Sequence, residues 1–241
     1  MLPFLDQDLL GQQVPKGMVF VPGNTKIEPF YIDKYEVTIS EFYAFVKATG
    51  YVTEAEKLGG TQYTAPGGVW KLTEGDTWRS NAALKKLKLE KDMASDPQFA
   101  KHPVMGLAPA DIIAYAKWIG KRVPTYWEWV HAAKAAQENY PYKYPGSKNL
   151  KEIAWFEITS NQYFPEEVGT KKPNELGIYD LAGNASELVS DDALNPTEFR
   201  IVGGSLATPA ESCQIGKMEN IPVVLSRPLC CLGIRLVKDL K

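Results

Sequence analysis

Lys172-Pro173-Asn174-Glu175-Leu176-Gly177-Ile178-Tyr179-Asp180-Leu181-Ala182-Gly183-Asn184 is the stretch of this chain whose reading decides its fold. Proline, asparagine and glycine interrupt it every few residues, and only Ile178-Tyr179-Asp180 has the make-up of a short strand. The chain on either side has the same texture. Pro145-Gly146 marks a turn, and Ala154-Trp155-Phe156, Phe199-Arg200-Ile201-Val202 and Gly233-Ile234-Arg235-Leu236-Val237 read as further short strands.

Towards the N-terminus the pattern becomes more regular. Met18-Val19-Phe20-Val21-Pro22-Gly23 and Phe30-Tyr31-Ile32-Asp33-Lys34-Tyr35-Glu36-Val37 are predicted strands, rich in β-branched and aromatic residues. Thr38-Ile39-Ser40-Glu41 has the capping-box spacing, with Phe42, Phe45 and Val46 at helical intervals and Gly50 as the stop. A second helix is expected from Pro109, with Asp111 in its first turn, to Gly120. A third opens on the box Thr125-Tyr126-Trp127-Glu128 and runs to about Ala136. Residues 51–101 show no clear period and read as long connecting loops with one short helix over 82–91. Few helices, short strands and long loops make an irregular α+β domain.

The 241 residues are 44% hydrophobic, enough for one sizeable core, and no linker-like or repetitive segment divides them. The expected organisation is an N-terminal extension over 1–16 and a single domain over 17–241. A net charge of −2 gives no basic field for nucleic acid, and no apolar run reaches the ~18 residues of a membrane span. The first 17 residues lack the basic-then-apolar order of a signal peptide. The compartment stays open, with the cell surface or an extracytoplasmic space expected if a leader has been removed. Three cysteines, Cys213, Cys230 and Cys231, form neither a disulfide framework nor a paired zinc motif. Two histidines are too few for a His-rich metal centre, and no phosphate-cradling glycine loop is present.

Five blocks in order carry a resemblance. They are Gly17–Gly23 with Phe30–Thr38; His102-Pro103-Val104 followed by Ala114–Thr125 and Glu128-Trp129; the opening stretch Lys172–Asn184; Gly203-Gly204-Ser205 with Cys213; and Gly233-Ile234-Arg235. Together they resemble the formylglycine-generating enzyme (sulfatase-modifying factor) family, which implies a C-type-lectin-like fold. The family's named activity is a copper-dependent oxidation of a substrate cysteine to formylglycine. Two cysteines hold the copper there, three and eight residues beyond Ser of Gly-Gly-Ser. Here those positions are Thr208 and Cys213, so one of the two thiolates is replaced by a hard hydroxyl. Tryptophans of the family pattern are also replaced, by Ser186, Leu188 and Leu206. Cys213 reads as a small buried apolar residue, and is catalytic only if the oxidase reading holds. Cys230 and Cys231 are expected as free thiols, with a rearranged pairing to Cys213 left open.

The resemblance also implies a structural calcium ion in the signature loop. Its donors would be the Asp180 and Glu187 side chains and the backbone carbonyls of Gly183 and Ala185, hard oxygens suited to calcium. The alternative is a plain turn. Departures from the family pattern cluster in 206–231, between the kept Gly-Gly-Ser and Gly-x-Arg. That placement is similar to the variable proteins of diversity-generating retroelements, which share the fold and concentrate substitutions just before the C-terminus. It implies a non-catalytic protein that binds a partner protein or other surface ligand. Expected contact residues are Leu206, Thr208, Gln214, Ile215, Lys217, Met218, Leu225, Arg227, Leu229 and Cys230. A copper oxidase and a scaffold within a larger assembly are the other readings.

Overall fold

A computed structural model describes residues 13–65, 69–81, 92–160 and 164–240. The helix expected over 82–91 and most of the N-terminal extension lie outside these residues. Strands β1 (Met18–Val21), β2 (Phe30–Asp33) and β8 (Val237–Asp239) form an antiparallel sheet in the order β1-β2-β8. A hairpin, β3 (Gly60–Ala65) and β4 (Val69–Glu74), forms a two-stranded sheet of its own, tied to the C-terminal segment by the bridge between Gln62 and Leu229. The third sheet has β5 (Ser186–Ser190) at its centre, antiparallel to β6 (Phe199–Val202) and parallel to β7 (Leu232–Gly233). The α-helices among the described residues are α1 (Ile39–Thr49), α2 (Glu54–Leu58), α3 (Pro109–Ile119) and α4 (Tyr126–Ala133).

The helices begin and end where local chemistry dictates. In α1 both halves of the Thr38–Glu41 box are made, and Gly50 closes the helix in the left-handed conformation at φ 68°. Helix α3 has no side-chain cap at Ala108. Instead the Asp111 carboxylate accepts from the Ala108 N–H at 2.8 Å, and also from Glu54 N–H at 3.0 Å and the Tyr51 hydroxyl at 3.1 Å. One buried aspartate thus fixes the start of α3 and ties it to α2. In α4, Glu128 accepts from Thr125 N–H at 2.7 Å and also takes both arms of Arg122 at 2.6 and 2.8 Å. Thr125→Ala removes the bond that the Glu128 N–H donates to Thr125 Oγ1. It is expected to lower stability by about 1 kcal/mol, measured by urea denaturation.

Two apolar clusters hold the sheets and helices together. Phe42, Phe45, Trp78 and Tyr115 pack ring on ring between α1 and α3, with the Phe42 and Trp78 centroids 5.1 Å apart, edge to face. Val21, Phe30 and Ile32 from the first sheet meet Val189 and Val202 from the third across Trp129 of α4. The last strand predicted from sequence is divided between these two sheets: Leu232–Gly233 pairs with β5 and Val237–Asp239 with β2. Arg235 stands at the crossing.

Several expectations are corrected. Residues 51–101 are not only loops, for they contain α2 and the hairpin; Pro66-Gly67-Gly68 between two alternating runs is the sequence signal for that hairpin. The strand expected at Ala154–Phe156 is a single bridge, Trp155 to Gly183, and Ile178–Asp180 forms no strand. Helix α4 ends at Ala133, because Ala135 and Ala136 turn into the left-handed region at φ 51° and 58°.

Candidate functional site

The signature loop is held by its asparagines. Asn174 Oδ1 accepts from the N–H groups of Leu176 and Ile178, both at 3.1 Å, and its amide donates to Ala132 O at 2.8 Å, which docks the loop on α4. Asn184, at φ 58°, donates to Glu36 Oε2 at 2.7 Å and accepts from Glu166 N–H at 3.0 Å. Between them Gly183 sits at φ 76°, where an added Cβ would lie 2.2 Å from Trp155 O, so only glycine lets the two segments approach.

Beneath the loop lies a buried charge cluster. Arg235 bonds Glu187 Oε1 at 2.8 Å, Asp33 O at 2.9 Å and Tyr179 O at 2.7 Å. Glu187 Oε2 accepts from Trp129 Nε1 at 2.6 Å. Glu36 accepts from Ala185 N–H at 2.8 Å, and Asp180 Oδ2 from Gly169 N–H at 2.6 Å. Only Glu187 pairs with the guanidinium, while Glu36 and Asp180 lie within its field. Burial pushes the Glu187 carboxyl above its ordinary range against the pull of Arg235. Burial and then the nearby Asp180 push Glu36 well above it. Asp180 is also raised by burial, and its Oδ1 is the one buried side-chain polar atom without a hydrogen-bond partner among the described residues.

The donor set implied for calcium is thus brought together only in part. Asp180 Oδ1 is an open acceptor, but both oxygens of Glu187 are already engaged, by Trp129 and Arg235. Among the described residues no group of three or more His, Cys, Asp or Glu side chains is arranged around a metal position. In Glu187 the guanidinium supplies the positive charge that the implied ion would supply, so these four donors do not fit calcium as a set.

The two positions that correspond to copper ligands do meet. Thr208 Oγ1 and Cys213 Sγ both lie beside Gly204, where an added Cβ would be 2.8 and 2.9 Å from them. The Thr208 hydroxyl accepts from Ser205 N–H at 2.7 Å and donates to Ser205 O at 3.1 Å, as a turn-forming threonine does. Cys213 is packed among Leu150, Ile153, Phe156 and Ala182. Burial pushes its thiol up to about 12. A protonated, buried thiol beside a hydroxyl does not fit a soft two-thiolate copper site.

The segment 206–231 is not one free loop. Its backbone is tied at Ile215 to Lys143, at Glu219 to Ile201, at Leu225 to Ala110 and at Leu229 to Leu107. Of the expected contact residues, Lys217, Met218 and Leu225 are exposed, and Thr208, Gln214, Ile215, Arg227 and Cys230 are half-buried. Leu206 and Leu229 are corrections: at 3% and 7% exposure they belong to the interior, because they flank the kept Gly-Gly-Ser and the β7 crossing. Arg227 stacks on Trp70 of the hairpin at 4.1 Å.

Residues 11–240 match the model of the sulfatase-modifying factor enzyme 1-like domain. The chain belongs to that family. A formylglycine-generating enzyme of Thermomonospora curvata is 28% identical over 228 residues, 75% of this chain and 73% of that one. A formylglycine-generating enzyme of Bos taurus is 29% identical over 192 residues, 68% of this chain, which spans about half of that relative (49%). An inactive C-alpha-formylglycine-generating enzyme 2 of the same organism is 28% identical over 184 residues, 67% of this chain and 59% of that protein. Among solved structures, CarF superposes with a TM-score of 0.64 at 19% identity, covering 95% of this chain and all of CarF. Treponema denticola variable protein 1 superposes with 0.55 at 18% identity, covering 95% and 94%. The fold is therefore the irregular, C-type-lectin-like α+β fold expected from the motifs. Sequence reasoning assigned no role to Glu36, Trp129, Asn174 or Arg235, although all four lie within the blocks that carried the resemblance. For Glu36 and Arg235, a charged residue inside an otherwise apolar run was the available signal.

Proposed function

We propose that this sulfatase-modifying factor enzyme 1-like chain is a non-catalytic binding protein. It would engage a partner protein or another surface ligand through 206–231, chiefly the exposed Lys217, Met218 and Leu225 with the half-buried Gln214 and Arg227. One observation carries the reading: this segment presents exposed Met218, Val224 and Leu225 on a backbone pinned to α3 and to the third sheet. Solvent-facing apolar side chains on a fixed frame suit a protein surface better than a sugar. The buried Cys213 thiol and the Thr208 hydroxyl supply nothing to hold copper as two thiolates. Diversification of this segment, as in the variable proteins, would leave that frame intact and change only what it presents.

The oxidase reading is tested directly. Copper-loaded protein is incubated with a peptide bearing Cys-x-Pro-x-Arg, and the mass of the peptide is expected to stay unchanged; formation of formylglycine would overturn the proposal. A photo-crosslinking residue at Met218 or Leu225, in the protein's native surroundings, is expected to trap a discrete partner. The same residue at the exposed Leu194 is expected to trap none. Equal capture at all three positions would count against a binding face.

A further inference from the structure

Cys230 and Cys231 are adjacent in sequence, and their sulfurs lie 3.4 Å apart. The two residues are placed differently. Cys230 lines a narrow cleft with Ile39, Asp76, Trp78, Pro103 and Phe164, so it meets whatever enters there. Cys231 is not among the described residues that line it, and its carbonyl accepts from Ser186 N–H at 2.9 Å, at the start of β5. The hydrogen bond from the Cys231 thiol lowers the Cys230 thiol below its ordinary range, against burial and the carboxylates of Asp76 and Glu219. The same bond first, and burial second, push Cys231 well above it. Cys230 is therefore the sulfur that ionises first, and the ionised form is the nucleophile. Neither cysteine stands at the positions of Thr208 and Cys213.

We propose that Cys230 and Cys231 form a thiol–disulfide exchange site for a small disulfide without negative charge, Cys230 as the attacking sulfur and Cys231 as the resolving one. The Cys230 thiolate attacks one sulfur of the incoming disulfide. That S–S bond breaks, a mixed disulfide forms on Cys230, and the departing thiolate takes the Cys231 proton. Cys231, now a thiolate, attacks Cys230 Sγ and expels the second thiolate, which is protonated from solvent. Two protein thiols are oxidised to one disulfide, and the incoming disulfide is reduced to two thiols. The resolving step starts from 3.4 Å, within the about 3–3.5 Å of a near-attack arrangement. The closed bridge joins Cα atoms about 3.8 Å apart, short of the roughly 4.4–6.8 Å usual for a disulfide, so thiols reopen it readily. The cleft sets the substrate. It is narrow and mostly apolar, and the negative field of Asp76 and Glu219 at Cys230 disfavours an anionic disulfide against a neutral or ammonium-bearing one. The site stands or falls independently of the binding face proposed above.

Reaction of the reduced protein with cystamine, a small diammonium disulfide, tests the assignment; oxygen is excluded, the mixture is quenched with acid, and the products are read by intact mass and peptide mapping. The wild type is expected to lose two hydrogens, keep no adduct and carry its bridge between residues 230 and 231. Cys231→Ser should retain one cysteamine on Cys230, because nothing resolves it. Cys230→Ser should react at least tenfold more slowly. Cys213→Ser should behave as the wild type does, since burial pushes the Cys213 thiol up to about 12. At low salt, the preference for cystamine over oxidised glutathione, an anion, should be at least tenfold greater in the folded protein than in urea. A lasting adduct on the wild type, a bridge to Cys213, full reaction by Cys230→Ser, or an unchanged preference in urea would overturn the proposal. The wild-type bridge is mapped without any variant, so a variant that fails to fold leaves the test intact.

Discussion

Arg235→Met is expected to destabilise the protein by about 3–5 kcal/mol, the cost of leaving a buried carboxylate without its partner. Arg235 and Glu187 are essentially inaccessible to solvent, at 0% and 1% side-chain exposure. Removing the guanidinium leaves Glu187 charged in the interior and also strips a donor from the carbonyls of Asp33 and Tyr179. Against a total stability of about 5–15 kcal/mol for a typical domain, that loss brings the chain close to unfolding at physiological temperature. Urea denaturation followed by circular dichroism measures it. Trp129, bonded to Glu187, gives a fluorescence signal from the same spot.

The double variant Arg235→Met with Glu187→Gln separates the charge from the packing. Glutamine keeps an oxygen for Trp129 Nε1 and removes the orphaned charge, so the double variant should recover part of the loss. Recovery stays incomplete, because the two carbonyls are still without a donor. A coupling energy near zero between the two sites would mean that the pair does not organise the junction between the sheets. A loss in Arg235→Met below about 1 kcal/mol, the worth of an exposed pair, would say the same.

Arg235 also shows where sequence reading succeeded and where it stopped. The capping boxes at Thr38 and Thr125 and the closing Gly50 and Gly120 are local devices, and each acts in the structure as its spacing implied. The order of motif blocks carried the fold, because those blocks are the parts of the chain that meet at the loop under Asn184. What could not be read is anything that depends on which distant residues meet. Glu187 was legible as an oxygen donor, but its partner Arg235 lies 48 residues away. Strand β5 was missed because a buried Ser186 and Glu187 break the apolar pattern, and they can be buried only because Glu219 and Arg235 satisfy them. Leu206 and Leu229 looked like surface because their neighbours are, and only the path of the backbone turns them inward.

Asp180→Asn is expected to raise stability near neutral pH and to flatten its dependence on pH. Asp180 lies at φ 57°, a conformation asparagine adopts readily, and an asparagine oxygen can still accept from Gly169 N–H. What the substitution removes is a charge with a buried, unpartnered oxygen beside Glu36. Burial raises the Asp180 carboxyl in the folded state, so the fold binds its proton more tightly than the unfolded chain does. Such a group favours folding while protonated. Its contribution is complete below the ordinary carboxylate range of about 4 and is lost as pH rises through the folded-state value. The wild type should therefore weaken as pH rises from about 4 through the raised folded-state value, and Asp180→Asn should weaken less. The two should match in slope at about pH 4 and diverge by roughly 1–3 kcal/mol at about pH 8, since each unit by which a folded-state pKa is displaced is worth about 1.4 kcal/mol. Parallel curves would show that the cluster holds no extra proton. Calcium gives the same variant a second use: saturating calcium and chelator should leave the wild-type melting temperature equal, since Glu187 is committed to Arg235. A calcium-dependent rise present in the wild type and absent in Asp180→Asn would instead place a cation at Oδ1.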